Sequence, residues 1–576
     1  MRTGDLEMAK DCFYKAISVN QLFIPPYIEL CSGIESLEKM KPLLYRLWNR
    51  KTFHNGKRIF QLELQLRISS ILVKYHSENE QDKEIIKIYE TILPILEKEF
   101  EIANPIHWQC WKIMWQNYGE TVRYLEPEKG IIYLKKGLQK KFPNSSNDKV
   151  MITGSMERRI RDMDVTLIQS IYLSRFFAME RIKLPDPKPY YSLWIDNRFK
   201  TYHTRLSPRE KIRIGSNEDT RLLPREKIRI GYLSPDFNNN AVGLFLTPLL
   251  KHFDKDRFEV VCYDNSEISG TYQKMYSDVL HGYSGVKWVN VNNLNDFALS
   301  NKIYNEKIDI LVDLIGFGKG NRMETISMKP APIIINYLGY PGFTGFETHR
   351  LVDNYTDPTV INSSLIKLDR SFICYHLFDN HKPPEIKPRK WNSKIRIGIF
   401  NRSNKYSKFI LSLWKRIVKA NRNIELWIKL DYSYHNRHKK MFSDFPSSQI
   451  NFFDFQESLP EYLELFNQVD CCIDTYPYSG TTTTCAGLLM GVPTFTIYNQ
   501  NNEHVSNVTG ALMKWCELEE PFLCLNSKEY VNSVSNFKSS LVDKILIRDQ
   551  FIKTMDPKAF MKDYETKLED LVMNVL

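Results

Sequence analysis

Several common signals are missing from this chain, and each absence removes a class of function. The ten cysteines among 576 residues form no CxxC pair, and the one close pair is Cys471–Cys472 inside an apolar run. That spacing excludes the usual zinc and dithiol sites and leads us to expect reduced thiols in a cytosolic or nuclear protein. No uninterrupted apolar run is long enough to span a bilayer, so no membrane partner is expected. The opening residues, MRTGDLEMAKDCF, are charged and hold no signal-peptide core, so secretion is not expected and the sequons at Asn144, Asn362 and Asn507 read as incidental. There is no zinc-finger or RNA-recognition signature. The net charge of +11 is spread along the chain, and basic clusters such as 135–141 and 437–440 read as solvated surface, not as a nucleic-acid footprint.

What is present centres on residues 470–493, DCCIDTYPYSGTTTTCAGLLMGVP. A short apolar strand over 471–473 leads into a Pro/Gly/Ser turn, four threonines, and a small-residue helix expected over 485–490 that stops at Gly491 before Pro493. A β-rich run over 494–498 follows. In such a strand–loop–helix–strand unit the helix N-terminus offers free N–H groups and a positive dipole to an anion, most often phosphate. One threonine there would read as a simple cap. Four in a row behind a glycine turn make phosphate binding an equal reading. No lysine stands in the Walker position, so a P-loop nucleotidase is excluded.

Ahead of this unit the chain changes texture three times. Residues 4–20 place Ala9, Phe13 and Ala16 on one helical face, like the second helix of a tetratricopeptide repeat whose first helix is missing. Helical patterns follow over 26–43, 58–75, 83–100, 105–118, 128–142 and 158–182, in poor 34-residue register. They read as a helix-pair solenoid presenting a surface to protein partners, or as a non-repetitive helical domain. A Pro-rich stretch at 184–191 marks a boundary. Beyond it, SPREKIRIG at 207–215 recurs as LPREKIRIG at 223–231, a tandem duplication to which we assign no function.

From Lys227 strands alternate with helices, which implies a parallel sheet covered on both faces. The Gly-rich turn near 339–345 lacks the spacing of a dinucleotide fingerprint, so a nicotinamide site is not expected. A polar, Pro-rich hinge over 381–392 precedes a second α/β series, and a last helix over 557–575 is expected to pack back across both domains. The expected domains are therefore a helical region over 1–190, a linker over 191–226, and two α/β halves over 227–385 and 386–576. Two doubly wound halves make a cleft at the carboxyl ends of their sheets.

Five blocks in order, IRIGYLSPDF, DILVDLIGFGKGNR, KPAPIIINYLGYPGFTG, IGIFNRSNKYSK and DTYPYSGTTTTCAGLLMGVP, resemble glycosyltransferase family 41, the O-linked N-acetylglucosamine transferase and SPINDLY group. The likeness runs from Lys227 to the C-terminus and also fits a helical repeat region ahead of it. It implies an α/β two-Rossmann (GT-B) glycosyltransferase fold with an N-terminal all-α, tetratricopeptide-like domain. The implied activity is inverting transfer of a sugar from a nucleoside diphosphate to Ser or Thr of intracellular proteins, with no metal and no cofactor beyond the donor substrate. The acceptors would be bound along the helical domain. UDP-GlcNAc is the preferred donor and GDP-fucose the alternative, because the TTTTC run and DTYPYSG resemble SPINDLY while GFGKGNR resembles the N-acetylglucosamine enzymes.

The same matching assigns residues. Lys405 falls at the slot of the family's essential lysine, where a cation neutralises charge on the leaving diphosphate. Gly480, Thr481, Thr482 and Thr483 fit the phosphate turn. Asn401 shares the loop of Lys405 and is placed to hydrogen-bond the donor. Tyr462 falls where the family stacks a histidine on the nucleobase, and an aromatic ring can do the same. His504 matches a SPINDLY histidine beside the donor. Lys319, Arg322, Tyr340, Pro341 and Gly342 would line the first half of the cleft. The chain also departs from the family. Asn240 occupies a catalytic histidine position and cannot take up a proton at neutral pH. Ala486 replaces an acid expected to hold the ribose, and Phe317 and Gly318 replace a polar pair. These losses keep open a catalytically weak pseudoenzyme that acts as a helical scaffold.

Overall fold

The computed structural model describes residues 81–100, 105–123, 126–139, 227–237, 241–266, 279–318, 320–339, 346–357, 364–379, 381–387, 394–431, 435–499 and 503–575, with single positions or short runs at 12, 15, 42, 44, 45, 65, 66, 68–73, 76, 167 and 344. The duplicated copy at 207–215 lies outside these residues, as do the helical pattern over 4–20 apart from Cys12 and Lys15 and most of the helices expected over 26–43 and 158–182. The chain divides into two compact units, Met1–Arg175 and Phe176–Leu576.

The described part of the first unit is helical. Helix α1 (Asp82–Lys98) buries Ile85, Ile88, Tyr89, Ile92, Leu93 and Leu96, the single apolar stripe that a 3.6-residue period produces. Helices α2 (Pro105–Arg123) and α3 (Pro127–Gln139) follow. They approach closely because glycines face each other. A Cβ on Gly130 would lie 2.7 Å from the Gly119 carbonyl oxygen, so no larger residue fits. Tyr118 and Tyr133 stack beside this contact, with ring centroids 4.3 Å apart.

The second unit contains two all-parallel sheets. The first is built from β1 (Ile228–Ser234), β2 (Phe258–Asp264), β3 (Val286–Asn290), β4 (Ile310–Asp313), β5 (Ile333–Asn336), β6 (His349–Asp353) and β7 (Leu365–Leu368), in the order β3-β2-β1-β4-β5-β6-β7. The second is built from β8 (Ile395–Ile399), β9 (Ile424–Lys429), β10 (Ile450–Phe453), β11 (Cys471–Ile473), β12 (Thr494–Ile497) and β13 (Leu523–Cys524), in the order β10-β9-β8-β11-β12-β13. Their buried faces are runs of Ile, Val, Leu and Phe, as expected where helices cover both sides of a parallel sheet. The strand order reverses between β1 and β4 and again between β8 and β11, and open α/β sheets bind ligands at such switch points.

The helices described in this unit are α4 (Ala241–Lys251), α5 (Asp296–Asn305), α6 (Met323–Ser327), α7 (Lys408–Ala420), α8 (His435–Lys440), α9 (Leu459–Glu464), α10 (Thr482–Leu489), α11 (His504–Trp515), α12 (Ser527–Ser535), α13 (Lys544–Thr554) and α14 (Pro557–Val575). One apolar core runs through both halves. Helix α14 has the bounds expected from sequence but returns to the first half. The Tyr564 hydroxyl lies 3.2 Å from that of Tyr232, the Asp254 N–H donates to Glu565 at 2.8 Å, and the Asp369 N–H donates to Asp563 at 2.9 Å. Helix α13 stays on the second half, where Lys544 Nζ donates to the carbonyls of Phe466 and Val469. No described helix is long and apolar enough to cross a membrane.

Two boundaries differ from the sequence expectation. Helix α10 begins at Thr482, not at Cys485. The Cys485 N–H donates to the Thr481 carbonyl at 3.0 Å, which makes Thr482–Thr484 the first helical turn. The sequence pattern predicts a helix over 435–445, but α8 ends at Lys440, and shorter three-residue turns such as Ser443 N–H to the Lys440 carbonyl take over.

Helix α10 stops where Gly491 takes φ +69°, and a Cβ there would sit 2.0 Å from the Lys544 carbonyl oxygen. Gly491→Ala is therefore expected to destabilise the second unit by about 2–3 kcal/mol, read as a lower midpoint of urea unfolding. A midpoint equal to that of the parent chain would refute this constraint.

Candidate functional site

The carboxyl ends of β8 and β11 bring two loops together, and Asp474 joins them. Its carboxylate is buried. Oδ1 accepts from Asn401 Nδ2 at 2.9 Å, from the Gly480 N–H at 2.8 Å and from the Thr475 N–H at 2.8 Å, and Oδ2 accepts from the Thr496 hydroxyl at 3.0 Å. Burial pushes the Asp474 pKa up, while these bonds and the nearby Lys405 charge pull it down. Gly480 is needed for this geometry, since a Cβ there would lie 2.6 Å from Thr484 Oγ1 and 3.3 Å from Asp474 Oδ1.

Beyond Gly480 the threonines open α10. Thr481 occupies the N-cap position, but its hydroxyl makes no capping hydrogen bond. The bland reading of a capping threonine therefore fails for Thr481, and the first-turn N–H groups keep their unmatched donors. Thr484 is turned inward, its hydroxyl 2.9 Å from that of Thr509. Thr482 and Thr483 stay half-buried at the helix start, and Thr483 bonds the Tyr462 side chain. Tyr462 on α9 packs edge-on against Phe466 at 5.5 Å, with Lys429 Nζ 5.7 Å from its ring centre.

Lys405 lies across from the threonine turn. It ends a single 3₁₀ turn, residues 403–405, that follows β8. Asp431, at the end of β9, holds that turn by accepting from both the N–H and the hydroxyl of Ser403. Lys405 Nζ donates to the Ser479 carbonyl at 2.8 Å and sits 3.8 Å above the Tyr478 ring, a close cation–π contact. Burial lowers its pKa to about 8, against an opposing pull from Asp474. Asn401 is engaged through Nδ2 by Asp474 and by Thr475 Oγ1 at 3.0 Å, whereas its buried Oδ1 accepts no hydrogen bond among the described residues.

The second half meets the first across a pocket. Tyr478, Thr481, His504 and Val505 line one wall; Gly339, Arg350 and Phe372 line the other. His504 Nδ1 lies 2.6 Å from Asp357 Oδ2, across the junction. Arg322, expected to line the cleft, is instead buried, where Nε donates to Asn265 Oδ1 at 3.0 Å and a terminal nitrogen donates to the Val291 carbonyl at 2.9 Å. It ties together the loops that follow β2 and β3. Asn240, Lys319, Tyr340, Pro341 and Gly342 lie outside the described residues. Phe317 and Ala486 are wholly buried, and a Cβ on Gly318 would lie 2.5 Å from Ile315 Cδ1.

Sequence reasoning missed Asp474, Arg350, Asp357 and Asp431. Asp474 had a signal, being the acidic residue at the carboxyl end of a strand bordering the switch point. Arg350 had a weaker one as a cation inside the apolar strand β6. Asp313, at the end of β4, was also passed over. It accepts from the N–H groups of Ile315 and Gly316, and burial pushes its pKa up to about 7.

Known proteins agree with this layout. Residues 211–368 match the model described as glycosyl transferase family 41. A tomato (Solanum lycopersicum) protein named probable UDP-N-acetylglucosamine–peptide N-acetylglucosaminyltransferase SPINDLY is 28% identical over 322 residues, 54% of this chain and 34% of that protein. The Arabidopsis thaliana protein of the same activity named SEC is 27% identical over 291 residues, 46% of this chain and 28% of that protein. The chain thus spans about a third of the length of these curated relatives. Among solved structures, a mutant O-GlcNAc transferase of Thermobaculum terrenum aligns over 100% of this chain and 99% of its own, with TM-score 0.64 and 18% identity, a likeness of fold.

The lowered Lys405 pKa sets a pH dependence for anion binding. The ammonium is fully charged below about pH 8 and loses its proton as the pH rises through that value. A bound diphosphate favours the charged form, so its affinity is highest below pH 8 and falls by up to about tenfold per pH unit above it. Calorimetric titration with UDP and GDP between pH 6.5 and 9.5 measures this. Lys405→Met should bind more weakly and lose the slope; an unchanged slope in that variant would assign the titration to another group.

Proposed function

We propose, for a chain of which residues 211–368 match glycosyl transferase family 41, that the cleft between its two halves transfers a sugar from a nucleoside diphosphate to a Ser or Thr hydroxyl of a protein. UDP-GlcNAc is the proposed donor, in line with the activity that the plant relatives are named for, and GDP-fucose is the alternative. The acceptor proteins are intracellular and bind along the helical region. The observation that carries this reading is Lys405 held opposite the threonine turn.

The chemistry follows from that arrangement. The acceptor oxygen attacks the anomeric carbon from the face opposite the diphosphate, the bond from that carbon to the phosphate oxygen breaks, and the configuration inverts. Negative charge grows on the departing diphosphate. Lys405 and the free N–H groups of α10 meet that charge, with the dipole of α10 adding to them. Tyr462, beside the threonine turn, offers its ring to the nucleobase, and Asn401 Oδ1 offers an acceptor to the donor. The proton of the attacking hydroxyl passes to solvent water, since Asn240 cannot take it up. That residue and the buried Ala486 support the second reading, a scaffold with a residual nucleotide cleft.

Side-by-side incubation with radiolabelled UDP-GlcNAc and GDP-fucose, with a cell lysate as acceptor, separates the readings. Label is expected to enter protein from UDP-GlcNAc, and Lys405→Ala should lower that transfer by about 10²–10³-fold while the melting temperature stays near that of the parent chain. Transfer from GDP-fucose alone would replace the donor. Silence from both donors, with UDP or GDP still bound, would favour the scaffold.

A further inference from the structure

His504 and Asp357 come from different halves and meet beside the pocket. Asp357 sits on the turn after β6. Asp353 shapes that turn: its Oδ1 accepts from the N–H groups of Tyr355 at 2.9 Å and Thr356 at 2.8 Å, and its Oδ2 accepts from the Phe372 N–H at 2.9 Å. The second half then grips the turn. Asn507 Nδ2 donates to the Thr356 carbonyl at 3.2 Å, and the Tyr498 hydroxyl donates to the Tyr355 carbonyl at 2.9 Å. Asp357 is thereby presented to His504, the first residue of α11.

The pairing fixes the histidine's chemistry. Asp357 Oδ2 faces Nδ1 at 2.6 Å, so Nδ1 carries the proton and donates it. The Phe372 ring packs edge-on at 5.0 Å and holds the imidazole plane. Nε2 then keeps a lone pair. It has no hydrogen-bond partner among the described residues, and His504 lines the pocket. Asp353, the last residue of β6, and Lys367, on β7, are the other charged groups beside this turn, and Lys367 Nζ donates to the Asp357 carbonyl at 2.7 Å.

We infer that Asp357 and His504 together read a hydroxyl of the donor sugar, with Asp357 as the positioning residue and His504 Nε2 as the hydrogen-bond acceptor. An acceptor nitrogen suits a hydroxyl, which brings a proton, and not a diphosphate oxygen, which brings none. The attacking hydroxyl is a poorer match. His504 is tied to the leaving-group side, because the Ser479 N–H and hydroxyl both donate to the Val505 carbonyl while the Ser479 carbonyl accepts from Lys405. Attack comes from the opposite face. Because one member comes from each half, the reader is complete only when the halves dock as they do here. The inference rests on the donor-binding function proposed above.

The test compares nucleotide sugars with their parent diphosphates. The full chain and its His504→Leu, His504→Gln, Asp357→Ala and Asp357→Asn variants are titrated calorimetrically with UDP, GDP, UDP-GlcNAc and GDP-fucose, after their melting temperatures are compared. For whichever nucleotide sugar the parent binds, His504→Leu and Asp357→Ala should weaken affinity about three- to tenfold and change the matching diphosphate by less than about twofold. His504→Gln, which restores an acceptor oxygen, should recover part of the loss. Equal weakening of sugar and diphosphate, or no weakening of either, would overturn the hydroxyl reader and leave donor binding standing. A parent chain that binds neither diphosphate would overturn the donor-binding function, and this inference with it.

Discussion

A single buried carboxylate holds the candidate site together. Asp474 collects an amide, two backbone N–H groups and a hydroxyl from three separate segments of the second half. A buried carboxylate is costly unless its lone pairs are satisfied, and four donors meet that requirement. The requirement also runs the other way. The Gly480 N–H is itself buried and would be left unmatched without Asp474, and Asn401 Nδ2 would keep only Thr475 Oγ1. The loop that leads to Lys405 and the turn that opens α10 are therefore fixed by the same two oxygens.

This arrangement explains how a mostly apolar fold exposes charge at one place. The Ile, Val and Phe side chains of the strands are packed away, and Asp313, Asp353, Asn401 and Asp474 gather at or just beyond the carboxyl ends of β4, β6, β8 and β11. Asp431 fixes the turn of Lys405 from one side and Asp474 fixes its surroundings from the other. The low pKa of Lys405 follows from that confinement. An ammonium held among protein atoms, with one carbonyl and one aromatic face as partners, regains full charge when an anion arrives. Under the proposed function, a diphosphate would meet a cation that needs little further ordering.

Much of this was legible in the sequence because it depends on local pattern. The β-strand runs, the last helix at Pro557–Val575 and the glycine-threonine turn all follow from periodicity and turn chemistry, and the structure keeps them. The family blocks added Lys405. What stayed hidden depends on distance along the chain. The pairing of His504 with Asp357 joins residues 147 apart, and nothing in DNYTD marks that aspartate as special. Arg322 shows the opposite case. The family resemblance placed it in the cleft lining, but tertiary packing gives it three backbone and side-chain neighbours of its own. The start of α10 was missed because threonine's weak helix propensity argued for a loop, while the Thr481 carbonyl closed the first turn regardless.

The central claim is that Asp474 organises the donor site as well as the core around it. Replacing it with asparagine keeps the volume but sets an NH2 group against donors that need an acceptor. Calorimetric titration of Asp474→Asn with UDP and GDP tests this most directly. The account predicts at least about tenfold weaker binding of whichever diphosphate the parent chain binds, because both the threonine turn and the Lys405 loop lose their common anchor. Parent-like affinity in that variant, with the chain still folded, would contradict it.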